Sequence, residues 1–403
     1  MDTNTIQPTT TKIRIRAIDV MRGLTLFLML FVNDLFTSGA PAWMAHTKGD
    51  FDGMGLADWV FPGFLFMVGI SVPYAVLARR KKGDSDFKIF QHIVLRTLSL
   101  LLIGVLVLNG GRVNAELTGI PGLLWSGLMY GCVFLIWNLY PTDSPYKSVF
   151  TGLRLLGVVG LAYLVYIFKA GNAENPEWLE IGWWGILGLI GWGYFAAATV
   201  YLIARDRLLI VGLFCILFVV INILSMKGMM PHIPYVGRIF GVILGGNVPS
   251  IVVAGLFTGM LIRAFSAEPK RLLSYLVIIG VGCLVAGFVL RNWFIISKIY
   301  GTPSWALICN GISVLLLVVV YYLIDVKQYQ KGIYVFEQAG KNSLTTYLAP
   351  DLIYFACWGF AIPLFFYKQA DYMALNIIGS LVWSFVMLWF AILLKKIGIA
   401  LKL

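Results

Sequence analysis

The sequence predicts an all-α, polytopic membrane protein of about twelve transmembrane helices, with both termini in the cytoplasm. Three observations carry that reading. Of the 403 residues, 60% are hydrophobic and 12% charged, with mean hydropathy +0.85, whereas soluble domains run at roughly 45–50% apolar and about 25% charged. Apolar runs of roughly twenty residues, enough to cross about 30 Å of hydrocarbon, recur along the whole chain. Lysine and arginine concentrate in alternate connecting segments, the asymmetry that orients membrane helices.

The spans are predicted at 18–38, 55–78, 89–109, 119–139, 149–168, 181–203, 207–226, 248–266, 273–292, 304–324, 342–360 and 374–395. The first follows a polar segment, 1–13, read as a flexible cytoplasmic arm, and the basic residues Lys12, Arg14 and Arg16. It is too long for a signal peptide and lacks a small-residue cleavage site, so an uncleaved helix is expected. The second closes on Arg79-Arg80-Lys81-Lys82, and the third opens with His92 and Arg96. The fourth and fifth form a pair, and the sixth and seventh meet at the tight join Arg205-Asp206-Arg207. A long outer loop, 227–247, carries His232 and ends in Gly245-Gly246-Asn247. Arg263, Lys270 and Arg271 mark the next inner turn, Lys327 and Lys331 the one after, and Lys395-Lys396 the end of the last span. Outer segments hold fewer cations, among them Lys48, Arg112, Arg291 and Lys298. No linker divides the chain, so residues 1–403 read as one domain. The net charge of +12 then reports topology and lipid headgroup contact, not a nucleic-acid surface. The cysteines at 132, 215, 283, 309 and 357 all lie in apolar segments without pairing spacing. They read as small buried hydrophobes, and no metal site is expected.

The polar outliers point to chemistry. Asp58 stands in Gly55-Leu56-Ala57-Asp58-Trp59-Val60-Phe61-Pro62, at the mouth of the second span. A carboxylate costs about 2.5–3.5 kcal/mol at mid-bilayer and less near the interface, so it needs a partner or a task. The preceding loop holds His46, an imidazole suited to proton removal near neutrality, and the first span ends near Asn33. Asp58 can orient His46 by the logic of a catalytic triad. Asp19 and Arg22, three residues apart at the inner end of the first span, either neutralise one another or leave Arg22 facing an anionic ligand. Arg96 is either a snorkelling arginine or part of a cationic vestibule for a phosphate-bearing cofactor. Gly340-Lys341-Asn342-Ser343 reads as a loop-to-helix transition, whose exposed N–H groups cap the helix or bind an anion.

These residues together carry a family resemblance. Ile18-Asp19-Val20-Met21-Arg22-Gly23, Phe31-Val32-Asn33, His46 and Gly53 through Pro62 resemble the membrane-embedded acetyltransferases related to heparan-α-glucosaminide N-acetyltransferase. Thinner matches continue at Arg96, at Lys298 with Thr302 and Ser304, at Asp325-Val326-Lys327 and at Gly340 with Asn342-Ser343. The resemblance implies a membrane enzyme that moves an acetyl group from cytoplasmic acetyl-CoA to an amino sugar or glycan outside; an inner N-terminus without glycosylation or lysosomal context suggests a bacterial inner membrane. The resemblance further implies a catalytic His46 supported by Asn33 and Asp58. The CoA contacts it implies come from Asp19, Arg22, Arg96, Lys298, Thr302, Ser304, Asn342 and Ser343. Homo-oligomerisation is compatible with this reading. The chain departs from the family at Gly188-Leu189, where a Gln-Arg pair is expected, and in about two extra residues between His46 and Gly53. Residues 119–168 look like an added helical pair. The main rival is a secondary transporter of a small polar or sugar-like solute, which should show matched halves with interrupted helices. A flippase or scaffold without chemistry is a second. The polar outliers instead crowd into the first two spans, which favours the enzyme.

Overall fold

The structure, a computed structural model, describes residues 15–231 and 233–403. In chain order its helices are α1 (Arg16–Asp34), α2 (Leu56–Arg80), α3 (Asp86–Gly110), α4 (Ala115–Thr118), α5 (Gly122–Trp137), α6 (Lys147–Ile167), α7 (Gly185–Ala204), α8 (Leu208–Met226), α9 (Pro234–Gly245), α10 (Asn247–Phe265), α11 (Pro269–Leu290), α12 (Pro303–Tyr321), α13 (Tyr334–Lys341), α14 (Ser343–Gly359) and α15 (Met373–Lys396). Every segment predicted to span is helical. Among the described residues nine helices are long and apolar enough to cross a membrane, counting α12 with the π turn Tyr322–Val326 that prolongs it. The chain is therefore a multi-pass helical membrane protein. The other three predicted spans fall short for visible reasons. Helix α1 carries Arg16, Asp19, Arg22 and Asp34, while α5 has 16 residues and α14 has 17.

Two expectations about loops need correction. The segment 227–247 is not all loop, because α9 occupies most of it. It opens on Pro234, whose missing N–H is harmless in a first helical turn. Gly340 and Lys341 do not lead from a loop into a helix; they end α13, and Asn342 is the joint to α14. A two-residue hairpin, Ala170–Gly171 with Pro176–Glu177, interrupts the all-helical architecture between α6 and α7. His232, Arg14 and the segment 1–13 fall outside the described residues. The five cysteines are free thiols, of which Cys309 and Cys357 are buried and the others half-buried.

Burial divides the bundle into an inside and a lipid-facing rim. Helices α2, α7 and α10 are the most enclosed, while α6, α8 and α11 turn Leu155, Leu209, Ile216, Ile278 and Val285 outward. An apolar surface of that kind suits hydrocarbon, in which backbone hydrogen bonding is met within each helix. Helix α1 is fixed at its start by a distant acid. Asp325 accepts from the N–H groups of Arg16 and Ala17 at 3.0 and 2.8 Å, satisfying two orphan donors and complementing the helix dipole. Along its length α1 touches α13 backbone to backbone. A Cβ on Gly23 would sit 1.8 Å from the Phe336 carbonyl oxygen, and one on Gly340 would sit 2.0 Å from that of Asp19. Glycine at both positions is what lets the helices meet.

Candidate functional site

The start of α2 is built by the loop before it. Residues 43–47 cross the helix mouth, and Trp43 and Met44 give their carbonyls to the N–H groups of Leu56 and Ala57 at 2.7 and 3.3 Å. A Cβ on Gly55 would lie 2.1 Å from the Ala45 carbonyl oxygen, so the loop can lie this close only over glycine. Asp58 then points back into the loop, fully buried. Its Oδ2 accepts from the N–H of Thr47 at 3.0 Å, the Thr47 hydroxyl at 2.9 Å and the N–H of Gly55 at 3.0 Å. Its Oδ1 faces Nδ1 of His46 at 2.8 Å. Four donors on one carboxylate favour its charged form. With Nδ1–H donating to Asp58, the imidazole lone pair resides on Nε2, an assignment made from these partners. The ring is 46% exposed.

A second loop brings a cation to that ring. Lys298 lies between α11 and α12, with its Nζ 3.2 Å from Nδ1 and 3.4 Å from Nε2 of His46. Asp52 ties the two loops together, accepting from the Ile296 N–H at 2.8 Å and from Arg291 Nε at 2.9 Å. The N–H of Gly53 donates to the Ile296 carbonyl at 3.0 Å, and the Ser297 hydroxyl to the Gly49 carbonyl at 2.8 Å. The backbone hydrogen bond from Ile296 holds the Asp52 carboxyl below the usual carboxylate range, with burial opposing and the Arg291 pairing assisting. Burial lowers the Lys298 ammonium from the ordinary lysine range, with the Asp58 charge opposing. Thr302 and Ser304 are buried and brace this loop. Thr302 Oγ1 accepts from the Ser297 N–H at 3.1 Å, and Ser304 Oγ donates to the Ile295 carbonyl at 2.9 Å.

The remaining predicted residues gather elsewhere. Arg22, Arg96, Asn342 and Ser343 line a cavity of about 460 Å³. Lys341, Lys395 and Lys402, none of them among the predicted cofactor contacts, join Arg22 and Arg96 there; among the described residues no carboxylate side chain lines it. Arg22 donates to the Gly340 carbonyl at 3.0 Å and to Ser71 Oγ at 2.5 Å, with Asp19 at 3.6 Å. Arg96 lies over the Tyr194 ring at 4.7 Å, and its Nε is buried without a hydrogen-bond partner. Nδ2 of Asn342 is also buried and unpartnered. Helix α7 contributes Leu187, Ile190 and Tyr194 to the wall. The farther wall is apolar, with Met29, Phe64 and Val68.

Helix α2 relates the two places. Ser71, in the cavity wall, lies about 20 Å from Asp58 along the helix axis, and Phe64 about 9 Å, at the helical rise of roughly 1.5 Å per residue. In the interval the Trp59 ring covers Gly63 beside Thr25 and donates to Ser313 Oγ at 3.1 Å. Trp305 donates to the Asp58 carbonyl at 3.2 Å. Asn33 is not part of either cluster. It is exposed, and its side chain makes no hydrogen bond among the described residues. The buried group at that turn is its neighbour Asp34, which accepts from the Tyr354 and Tyr367 hydroxyls and pairs with Lys368 at 2.8 Å.

Comparison with known proteins adds two findings. Residues 14–233, more than half of the chain, match a family model described as a domain of unknown function, DUF5009. The heparan-alpha-glucosaminide N-acetyltransferase of Mus musculus is 30% identical over 177 residues, 42% of this chain and 24% of that protein. The protein of the same name from Homo sapiens is 30% identical over 150 residues, 35% of this chain and 22% of that protein. The chain therefore spans about a quarter of the length of the curated relatives it matches.

Proposed function

Because the chain belongs to the DUF5009 family, whose model spans both His46 and Asp58, we propose that it is a transmembrane acetyltransferase of twelve spans with both ends in the cytoplasm. It moves an acetyl group from cytoplasmic acetyl-CoA to an amino sugar or glycan acceptor beyond the opposite face, in a bacterial inner membrane. One observation carries the reading. Helix α2 bears at its first turn the carboxylate that anchors His46, and farther along it walls a cavity rimmed by cations. The names of the curated relatives support the acetyl-transfer class.

The cavity fits such a ligand on its own terms. Arginine and lysine suit phosphates, the unpartnered Arg96 Nε and Asn342 Nδ2 offer donors to phosphate or amide oxygens, and Met29 and Phe64 suit an apolar arm. When bound there, acetyl-CoA supplies an activated acyl thioester. At the far end His46 Nε2 takes the proton of the acceptor amine as its nitrogen attacks the acyl carbon, and returns it to the departing sulfur. Asp58 holds the ring in the tautomer that permits this and stabilises its protonated form. The Lys298 ammonium stands where negative charge develops on the carbonyl oxygen.

The test is transfer from acetyl-CoA to a panel of amino sugars by the purified protein. His46→Ala abolishes transfer and leaves stabilisation by CoA in a thermal melt intact. Full activity in that variant removes the assignment, and a wild-type protein that CoA does not stabilise points to transport instead.

A further inference from the structure

The proposed chemistry leaves α5 and α6 without a role, yet the end of α5 and the loop after it hold a segment that walls the cavity. After α15 the chain turns back at Gly398 (φ +86°), with the N–H of Ile399 closing on the Leu394 carbonyl at 2.8 Å. Residues 397–403 then run along the loop that follows α5. The Leu139 N–H donates to the Ala400 carbonyl at 2.8 Å, and the Lys402 N–H to the Trp137 carbonyl at 2.9 Å. Asn138 grips both ways, accepting from the Ala400 N–H at 2.8 Å and donating to the Gly398 carbonyl at 3.2 Å. On the other side the Leu401 N–H donates to Thr345 Oγ1 at 2.8 Å, in the first turn of α14. So pinned, the segment lays Ala400, Leu401 and Lys402 in the cavity wall. Lys341 there is paired with Glu337 at 2.5 Å, whereas Lys402 has no carboxylate partner among the described residues.

We propose that residues 397–403 form a strap that completes the phosphate site of the cavity through Lys402, and that Asn138 in the α5–α6 connection is its latch. This rests on the cofactor reading above. A strap held by main-chain bonds presents its lysine in one place, so the cation is positioned before a phosphate arrives. The added helical pair thereby sets the preference for a phosphorylated ligand over the bare arm.

Binding to the intact protein in detergent tests this with three probes: CoA, adenosine 3′,5′-bisphosphate and pantetheine. Loss of one charge-assisted hydrogen bond predicts a drop of about tenfold in affinity for both phosphorylated probes in Lys402→Gln, with pantetheine unchanged. Asn138→Ala gives a smaller loss with the same selectivity and faster hydrogen exchange across 397–403. The salt dependence of CoA binding is shallower in Lys402→Gln. Wild-type affinity for CoA in both variants overturns the strap alone, as does an equal loss of pantetheine, which marks general damage. A wild-type protein that binds neither phosphorylated probe overturns the cofactor reading and the strap with it. Stabilisation by phosphatidylglycerol without any by CoA transfers the site to a lipid headgroup and overturns both likewise.

Discussion

Replacing Asp58 with asparagine separates the orientation of His46 from the rest of the fold. The three donors on Oδ2 include two main-chain N–H groups, of Thr47 and Gly55, that cannot turn away. The amide must therefore place its oxygen there and its NH₂ toward His46. Facing a donor, Nδ1 must accept, and the ring proton moves to Nε2. The base is then lost although every heavy atom stays in place. General-base catalysis contributes about 10²- to 10⁴-fold, and the analogous change in the serine-protease triad costs about 10⁴, so transfer is expected to fall by about 10³. Stability changes less. Each bond that becomes neutral gives up about 1 kcal/mol, while the neutral amide is cheaper to bury than a carboxylate; the net loss is about 1–2 kcal/mol. The assay is acetyl transfer at saturating acetyl-CoA, paired with a CoA melt. Activity within threefold of wild type refutes the tautomer argument, and a parallel collapse of CoA binding refutes the separation of the two places.

Lys298→Met is expected to lower the rate by about 10² with little change in CoA affinity. Because the Lys298 ammonium is depressed, the wild type loses activity with rising pH below the ordinary lysine value of about 10.4, and the variant lacks that limb. The unfolded chain binds the extra proton in this window, so wild-type stability rises with pH there relative to Lys298→Met, measurable as melting temperature against pH. Arg96→Leu removes a buried Nε without a partner, so the unliganded protein melts within a few degrees of wild type while CoA affinity, read by titration, falls about 10- to 100-fold. Gly55→Ala forces a methyl against the Ala45 carbonyl, and overpacking of that kind costs about 1–3 kcal/mol. Transfer should fail while CoA still stabilises what remains folded.

What was legible in the chain follows the range of the forces involved. The apolar runs gave every long helix because burial in lipid is written residue by residue. Helix α13 escaped notice because its eight residues, with Glu337 and Gln338, carry no such run, and Gly340 read as a break. In fact that glycine is there for the touch of α1. The pairing of Asp58 with His46 was legible because an acid at a span's mouth demands a nearby partner. Lys298 was placed with the cofactor contacts, since nothing local announces that Asp52 and Arg291 bring its loop across 252 residues of sequence to His46. Asn33 was preferred to Asp34 on its chemistry, yet a one-residue step on a helix turns a side chain by about 100°, and only the packing of Tyr354 and Tyr367 settles which of the two faces inward.

The two tryptophans in the interval along α2 bear on a duty separate from acetyl transfer. On the proposed reading, a cation-rimmed cavity and an exposed imidazole stand at two places along one helix, and a cell that let ions or protons pass between them would dissipate its membrane potential. Trp59 and Trp305, each buried and each anchored by its indole N–H, pack beside the first turn of α2, where on the proposed reading their rings keep hydrated ions out while the thioester arm passes. Cutting either ring down to alanine should therefore register first as leakage of a proton gradient from reconstituted vesicles.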